Sequence, residues 1–169
     1  MKLCAVQLAS LKGDLPGNLQ RHLVCIEQAA ALGAELVVFP ELSLTGYEPS
    51  VARQSALPVT SARLDPLQAA CDRLGITVAV GLPLPTPDGI RIGMPVFCPD
   101  APRQAYAKQR LHDDELPYFT PGHQALLLEV GEHRVAPAIC YESMFMAHAA
   151  VARELSLIHI SEPTRLLSI

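Results

Sequence analysis

Apolar residues fall into short runs separated by two longer helical patterns, and most of the runs end at a glycine, proline or polar residue. Lys2 to Leu8 is a brief apolar run ending at Gln7 and predicts a buried strand. Leu19, Leu23, Ile26 and Ala30 share one helical face, which predicts a helix capped at Asn18 and stopped by Gly33. Glu35 to Phe39 reads as a second strand ended by Pro40, and a turn-rich stretch follows through Thr45, Gly46 and Pro49. The next helix takes Asp65 as cap and Pro66 in its first turn, with an earlier start at Ser61 left open; Leu67, Ala70, Cys71 and Leu74 form its face and Gly75 closes it. Ile76 to Leu82 is a third strand, Pro83 to Gly89 a proline-rich turn, and Ile90 to Cys98 and Gln104 to Lys108 are further strands. His112 to His123 reads as a polar loop. Leu126 to Val130 and Arg134 to Cys140 predict a hairpin turning at Gly131 and Glu132, and Met144 to Glu154 begins another helix. Alternating strands and helices followed by several strands indicate a layered α/β domain.

Composition narrows the class. At 169 residues the chain suits one domain, and 50% apolar against 18% charged residues excludes a disordered segment. A net charge of −4 gives no reason to expect nucleic acid or an anionic membrane as partner. No run approaches the ~18–20 apolar residues that span a bilayer, and Met1 to Cys4 does not open a signal peptide, so the expectation is a soluble, cytoplasmic protein. Five cysteines at 4, 25, 71, 98 and 140, odd in number and without a Cys-x-x-Cys pair, suggest neither a disulfide framework nor a zinc site. Four of them read as small buried hydrophobes, and one needs a different explanation. Leu155 to Arg165 resembles the conceptual translation of a transposase-based sequencing adapter. Residues 155–169 are therefore read as a non-native tail, with a short natural strand and loop as the alternative, and residues 1–154 as a domain cut short.

Three residues with reactive side chains each follow an apolar strand, where a loop presents them at a sheet edge. Glu41 follows Val37 to Pro40, Lys108 follows Ala105 to Ala107, and Cys140 follows Val135 to Ile139. Singly, each has an equally plain structural reading: a helix-start carboxylate, a surface charge, a core thiol.

The surrounding words tip the balance. Phe39-Pro40-Glu41-Leu42-Ser43-Leu44-Thr45-Gly46-Tyr47 resembles the glutamate motif of the nitrilase superfamily of carbon–nitrogen hydrolases. Tyr106-Ala107-Lys108-Gln109-Arg110-Leu111, with Glu115 and then Phe119-Thr120-Pro121-Gly122, resembles its lysine motif. Ile139-Cys140-Tyr141-Glu142-Ser143 resembles its cysteine motif, and the three stand in the family's order. The resemblance implies an αββα sandwich, here lacking its second half, and a Cys140–Glu41–Lys108 site with Glu115 as a second glutamate. Two departures bear on substrate fit: Ile92-Gly93-Met94-Pro95 replaces an Asn-containing strand, and Phe145-Met146-Ala147-His148 lacks a Pro-Glu pair.

Chemical roles follow from that resemblance. Glu41 accepts the thiol proton and later activates water, Cys140 attacks, and Lys108 and the Tyr141 backbone N–H hold the developing negative charge. Glu115 orients Lys108 and the substrate nitrogen. The expected partners are a small linear amide, ω-amide or N-carbamoyl compound and water, with no metal or organic cofactor, and the intact enzyme is expected to be a homo-oligomer. The alternatives are a glutaminase module feeding ammonia to a synthetase domain, or an inactive fragment whose bare apolar faces favour aggregation. His22, His112, His123, His133 and His148 show no ligand spacing and read as non-catalytic, while Tyr47, Tyr118 and Phe119 line the pocket or pack locally.

Overall fold

The computed structural model describes residues 1–154 and 158–161. In chain order the elements are β1 (Leu3–Ala5), α1 (Leu15–Ala31), β2 (Leu36–Val38), α2 (Ala52–Ser55), α3 (Asp65–Leu74), β3 (Thr77–Ala79), β4 (Leu82–Thr86), β5 (Gly89–Phe97), β6 (Gln104–Ala107), β7 (Leu128–Val130), β8 (His133–Ala138), α4 (Met146–Glu154) and β9 (Ile158–Ser161). The adapter-like reading of Leu155 to Arg165 lies partly outside the described residues; within it, β9 pairs parallel with β8. Among the described residues no helix is long and apolar enough to cross a membrane.

Six strands form the first sheet in the order β1-β2-β3-β5-β4, with β6 on the other side of β5, while β7, β8 and β9 form a second, smaller sheet. β1, β2 and β3 run parallel; β4, β5 and β6 pair antiparallel. Side chains alternate across the first sheet as the two-residue period of a strand requires. Val37, Phe39, Val78 and Val80 pack under α1 and α3 against Ile26, Leu67 and Cys71. Leu36, Val38, Ala79, Ile92 and Met94 face the other way, onto Leu128, Val130, Val135 and Ile139 of the second sheet. The result is helices on sheet on sheet, the nitrilase-type layering expected of the described part.

Several local readings are corrected. α1 starts at Leu15, not Asn18: Asp14 is the cap, its carboxylate accepting from the Gly17 N–H, and proline occupies the first turn. Asn18 lies buried inside the helix, where its side chain bonds the Leu11 N–H and the Leu11 and Leu44 carbonyls. β1 is an edge strand with partly exposed side chains rather than a buried one. Both starts proposed for the second long helix occur, a 3₁₀ turn capped by Ser61 running directly into α3. Pro83 and Pro85 do not make a turn but sit in β4, which is possible because β4 is a sheet edge and both prolines share one parity, so their missing N–H groups fall on one side of the strand. Cys140 lies just past β8, at the start of a 3₁₀ turn.

His22 is fully buried in α1 and stacks on Phe39 with ring centroids 4.1 Å apart. Its Nδ1 lies 2.7 Å from the Asn18 carbonyl and its Nε2 2.9 Å from the Ser43 hydroxyl. Burial lowers its pKa from 6.5 to about 4, against the opposing Asn18 bond. The unfolded chain therefore takes up a proton below about pH 6.5 that the folded chain refuses, so stability falls as pH drops through that window. The expected loss between about pH 7 and pH 5 is about 2 kcal/mol, read as a lower urea midpoint. His22→Gln should remove most of that pH slope; an unchanged slope would show that His22 is not its source.

Candidate active site

Glu41 is carried by a tightly bonded turn at the carboxyl end of β2. The Ser43, Thr45 and Gly46 N–H groups close turns onto Pro40 and Leu42 at 2.8–3.0 Å, and Leu42 adopts a left-handed φ of 53°. The turn docks on Gly81, where the Leu44 N–H donates to the Gly81 carbonyl at 2.9 Å and the Gly81 N–H donates to Ser43 Oγ at 3.1 Å. A Cβ at Gly81 would lie 2.1 Å from the Leu42 nitrogen, so only glycine permits this approach. His22, Ser43 and Gly81 thus form a buried polar support behind Glu41.

Lys108 follows β6 and is anchored by its N–H to the Ile92 carbonyl, while its own carbonyl accepts from Gly122 at 2.7 Å. Its ammonium donates to Glu41 Oε1 at 2.6 Å and to Glu115 Oε1 at 2.7 Å. All three side chains are withdrawn from water, with 1% exposure for Lys108, 8% for Glu41 and 2% for Glu115. Glu115 also accepts the Tyr47 hydroxyl at 2.8 Å and the His112 N–H at 2.8 Å, so it holds Lys108 from a fixed platform. Tyr47 is therefore part of the site, and burial together with Glu115 raises its pKa. Phe119 belongs to the core and Tyr118 is exposed.

Cys140 has a left-handed φ of 48°, a conformation that costs a non-glycine residue about 1–2 kcal/mol and that surrounding contacts must sustain. The sharp turn carries Cys140 past the end of β8 into the cavity that Glu41 and Lys108 also line. Burial raises the Cys140 pKa, and the Glu41 charge adds to this against Lys108. Burial likewise raises Glu41, against the pull of Lys108. For Lys108 burial works to lower the pKa, but Glu41 and Glu115 outweigh it and the ammonium is held charged. The arrangement is a thiol and a carboxylate, both of raised proton affinity, with the Lys108 ammonium fixed on the carboxylate.

These groups open on a cavity of about 310 Å³ lined by Glu41, Tyr47, Lys108, Glu115, Cys140 and Tyr141. The structure thus brings Glu41, Lys108, Glu115 and Cys140 to one cavity with Tyr47, whereas Tyr118 and Phe119 are not among its lining residues. His112 reaches the same cavity, pairing with Asp114 at 2.7 Å and standing edge-on to the Tyr141 ring. His148 instead approaches the Pro137 carbonyl. Among the described residues no cluster of three or more His, Cys, Asp or Glu could hold a metal. Glu142, fully buried and accepting from Tyr106, Gln109, Arg110 and Ile139, was not anticipated; a carboxylate between Ile139 and Phe145 was the available signal.

Comparison with known proteins adds independent findings. The sequence model of the carbon-nitrogen hydrolase family matches residues 2–160. The glutamine-dependent NAD(+) synthetase of Thermotoga maritima is 32% identical over 149 residues, covering 83% of this chain and 26% of the synthetase. A hydrolase of Mycobacterium tuberculosis is 31% identical over 155 residues, covering 87% of this chain and 55% of that protein. The chain thus spans between about a quarter and just over half the length of these relatives. The crystal structure of an amidase from Nesterenkonia sp. superposes with a TM-score of 0.86 at 24% identity, over 99% of this chain and 66% of the amidase, a likeness of fold.

Proposed function

Because this chain belongs to the carbon-nitrogen hydrolase family, we propose that it carries the acyl-transfer site of an amidase that cleaves small amides through a thioester on Cys140. The observation that carries this reading is the buried Lys108 ammonium bonded at once to Glu41 and Glu115 in a cavity that Cys140 also lines.

Each step follows from those contacts. As sulfur attacks the amide carbon, the thiol proton passes to Glu41, whose raised proton affinity suits it to receive one. The carbonyl electron pair moves onto oxygen, and Lys108 with the Tyr141 N–H meets that charge; a donor so placed is worth about 3–4 kcal/mol in the transition state. Collapse re-forms the carbonyl and breaks the carbon–nitrogen bond, the nitrogen leaving with the proton from Glu41. Water then adds to the thioester while Glu41 takes its proton, and a carboxylic acid departs as the thiol is restored. Glu115 stays an acceptor throughout, fixing Lys108 against Tyr47 and His112.

Substrate class rests on analogy. A Cys→Ala mutant of the Nesterenkonia amidase is known in complex with butyramide, and a Glu→Gln mutant carries the Michael addition product of acrylamide at its active-site cysteine. A short aliphatic amide fits a cavity of about 310 Å³. The second reading, a glutaminase module that passes ammonia to a synthetase, is favoured by the 32% identity to the NAD(+) synthetase. Ammonia release from butyramide, acrylamide, an N-carbamoyl amino acid and glutamine separates them. Turnover of aliphatic amides above glutamine supports the amidase, glutamine alone supports the module, and release from none of them counts against both.

A further inference from the structure

We propose that Glu142 is a positioning residue that sets the separation of Lys108 and Cys140. The inference rests on the hydrolase reading of the site, but it concerns a residue that has no part in the chemistry above.

Glu142 lies two residues past the nucleophile and is fully buried. One of its oxygens accepts from the Ile139 N–H at 2.8 Å, next to Cys140. The other accepts from the Gln109 N–H at 2.6 Å and the Arg110 N–H at 3.3 Å, the two residues after Lys108. The Tyr106 hydroxyl, two residues before Lys108 on β6, lies 2.8 and 2.9 Å from the two oxygens. A single carboxyl group therefore bonds both flanks of the lysine and the residue preceding the cysteine. These segments come from different sheets, β6 from the first and β8 from the second.

Apolar packing between the sheets is non-directional and cannot hold two loops to within fractions of an ångström. A carboxyl group that meets only donors can, because every contact has a preferred length and direction. The Ile139 bond also acts where it is most needed, immediately before the left-handed Cys140. An amide in place of the acid cannot do the same. With one oxygen and one NH2 group, a glutamine must turn the NH2 toward either the Ile139 N–H or the Gln109 N–H. Donor then faces donor, and one of the two loops is released.

The test reads the nucleophile without any substrate: alkylation of the full chain by iodoacetamide across pH, followed at each cysteine by peptide mass spectrometry. Glu142→Gln is expected to slow alkylation of Cys140 about tenfold near neutral pH and to move its midpoint upward, as the loop that bears Cys140 is no longer tied to the loop that bears Lys108. Tyr106→Phe, which removes one donor and leaves the backbone bonds in place, is expected to slow it about threefold. Cys4, Cys25 and Cys98 should react as in the parent and so report an intact fold. A folded Glu142→Gln chain whose Cys140 keeps the parental rate and midpoint overturns the proposal. If that variant unfolds, shown by fast reaction at every cysteine, Tyr106→Phe decides, and a parental Cys140 rate in it overturns the proposal. Absence of amide turnover would strike the functional reading alone, because alkylation needs none.

Discussion

Replacing Cys140 by alanine is expected to abolish amide hydrolysis, with a fall of at least about 10⁴-fold, while leaving the protein folded. The size follows from covalent catalysis: without sulfur no thioester forms, and Glu41 with Lys108 can only assist direct attack by water. Stability should change little, because alanine meets the same left-handed backbone as cysteine at φ 48°. Glycine at this position separates the two effects. Cys140→Gly removes the nucleophile yet relieves the backbone, and should be equally inactive but more stable than the alanine variant by about 1 kcal/mol. Ammonia release and urea unfolding on the same samples check both parts. Substantial turnover in either variant would rule out Cys140 as the acyl acceptor.

Lys108→Met should damage activity and stability together. The buried ammonium neutralises Glu41 at 2.6 Å and Glu115 at 2.7 Å, and a methionine leaves two carboxyl groups facing each other out of water. Removing one partner of a buried ion pair costs about 3–5 kcal/mol, much of it from the charge left uncompensated. Losing the cation beside the developing oxyanion adds a fall of about 10²–10³-fold in turnover. Adding Glu115→Gln to Lys108→Met tests the cause, because it removes one of the stranded charges. The double variant should regain part of the lost stability and none of the activity. A double variant no more stable than the single one would contradict the charge account.

The candidate site residues were legible in the sequence because each stands beside an apolar strand within a distinctive local word. Glu41 after Val37 to Pro40, Lys108 after Ala105 to Ala107, and Cys140 after Ile139 are all readable from a few neighbouring residues. Glu142 was not, although it lies inside one of those words. Apart from the neighbouring Ile139, its contacts come from Tyr106, Gln109 and Arg110, more than thirty positions away in the chain, on β6 or just after it. The same limit applied to support behind Glu41, since the link from His22 through Ser43 to Gly81 joins three separate elements.

Errors in the fold arose where a local signal competed with a non-local one. Pro83 and Pro85 carry the chemistry of a turn, and only the edge position of β4 makes them compatible with a strand, whereas Pro87 does sit in the turn before β5. Asn18 is a good capping residue by type, yet its side chain serves Leu11 and Leu44, and Asp14 with the following proline begins the helix a turn earlier. Strands ended sooner than the apolar runs did. β1 and β2 cover three residues each, and the ladder reaches only one residue further, through the Val6 N–H to Val38 and the Phe39 N–H to Ala79.

The most direct measurement is peptide mass spectrometry of the parent chain, quenched with acid during turnover of butyramide or another amide that it hydrolyses. The acyl group in transit should be caught on sulfur, with the added mass on the peptide containing Cys140, and should be missing from a Glu41→Gln chain, because Glu41 serves acylation as well as hydrolysis. Hydrolysis that proceeds with no acyl mass on Cys140, or with that mass on another residue, would contradict the account.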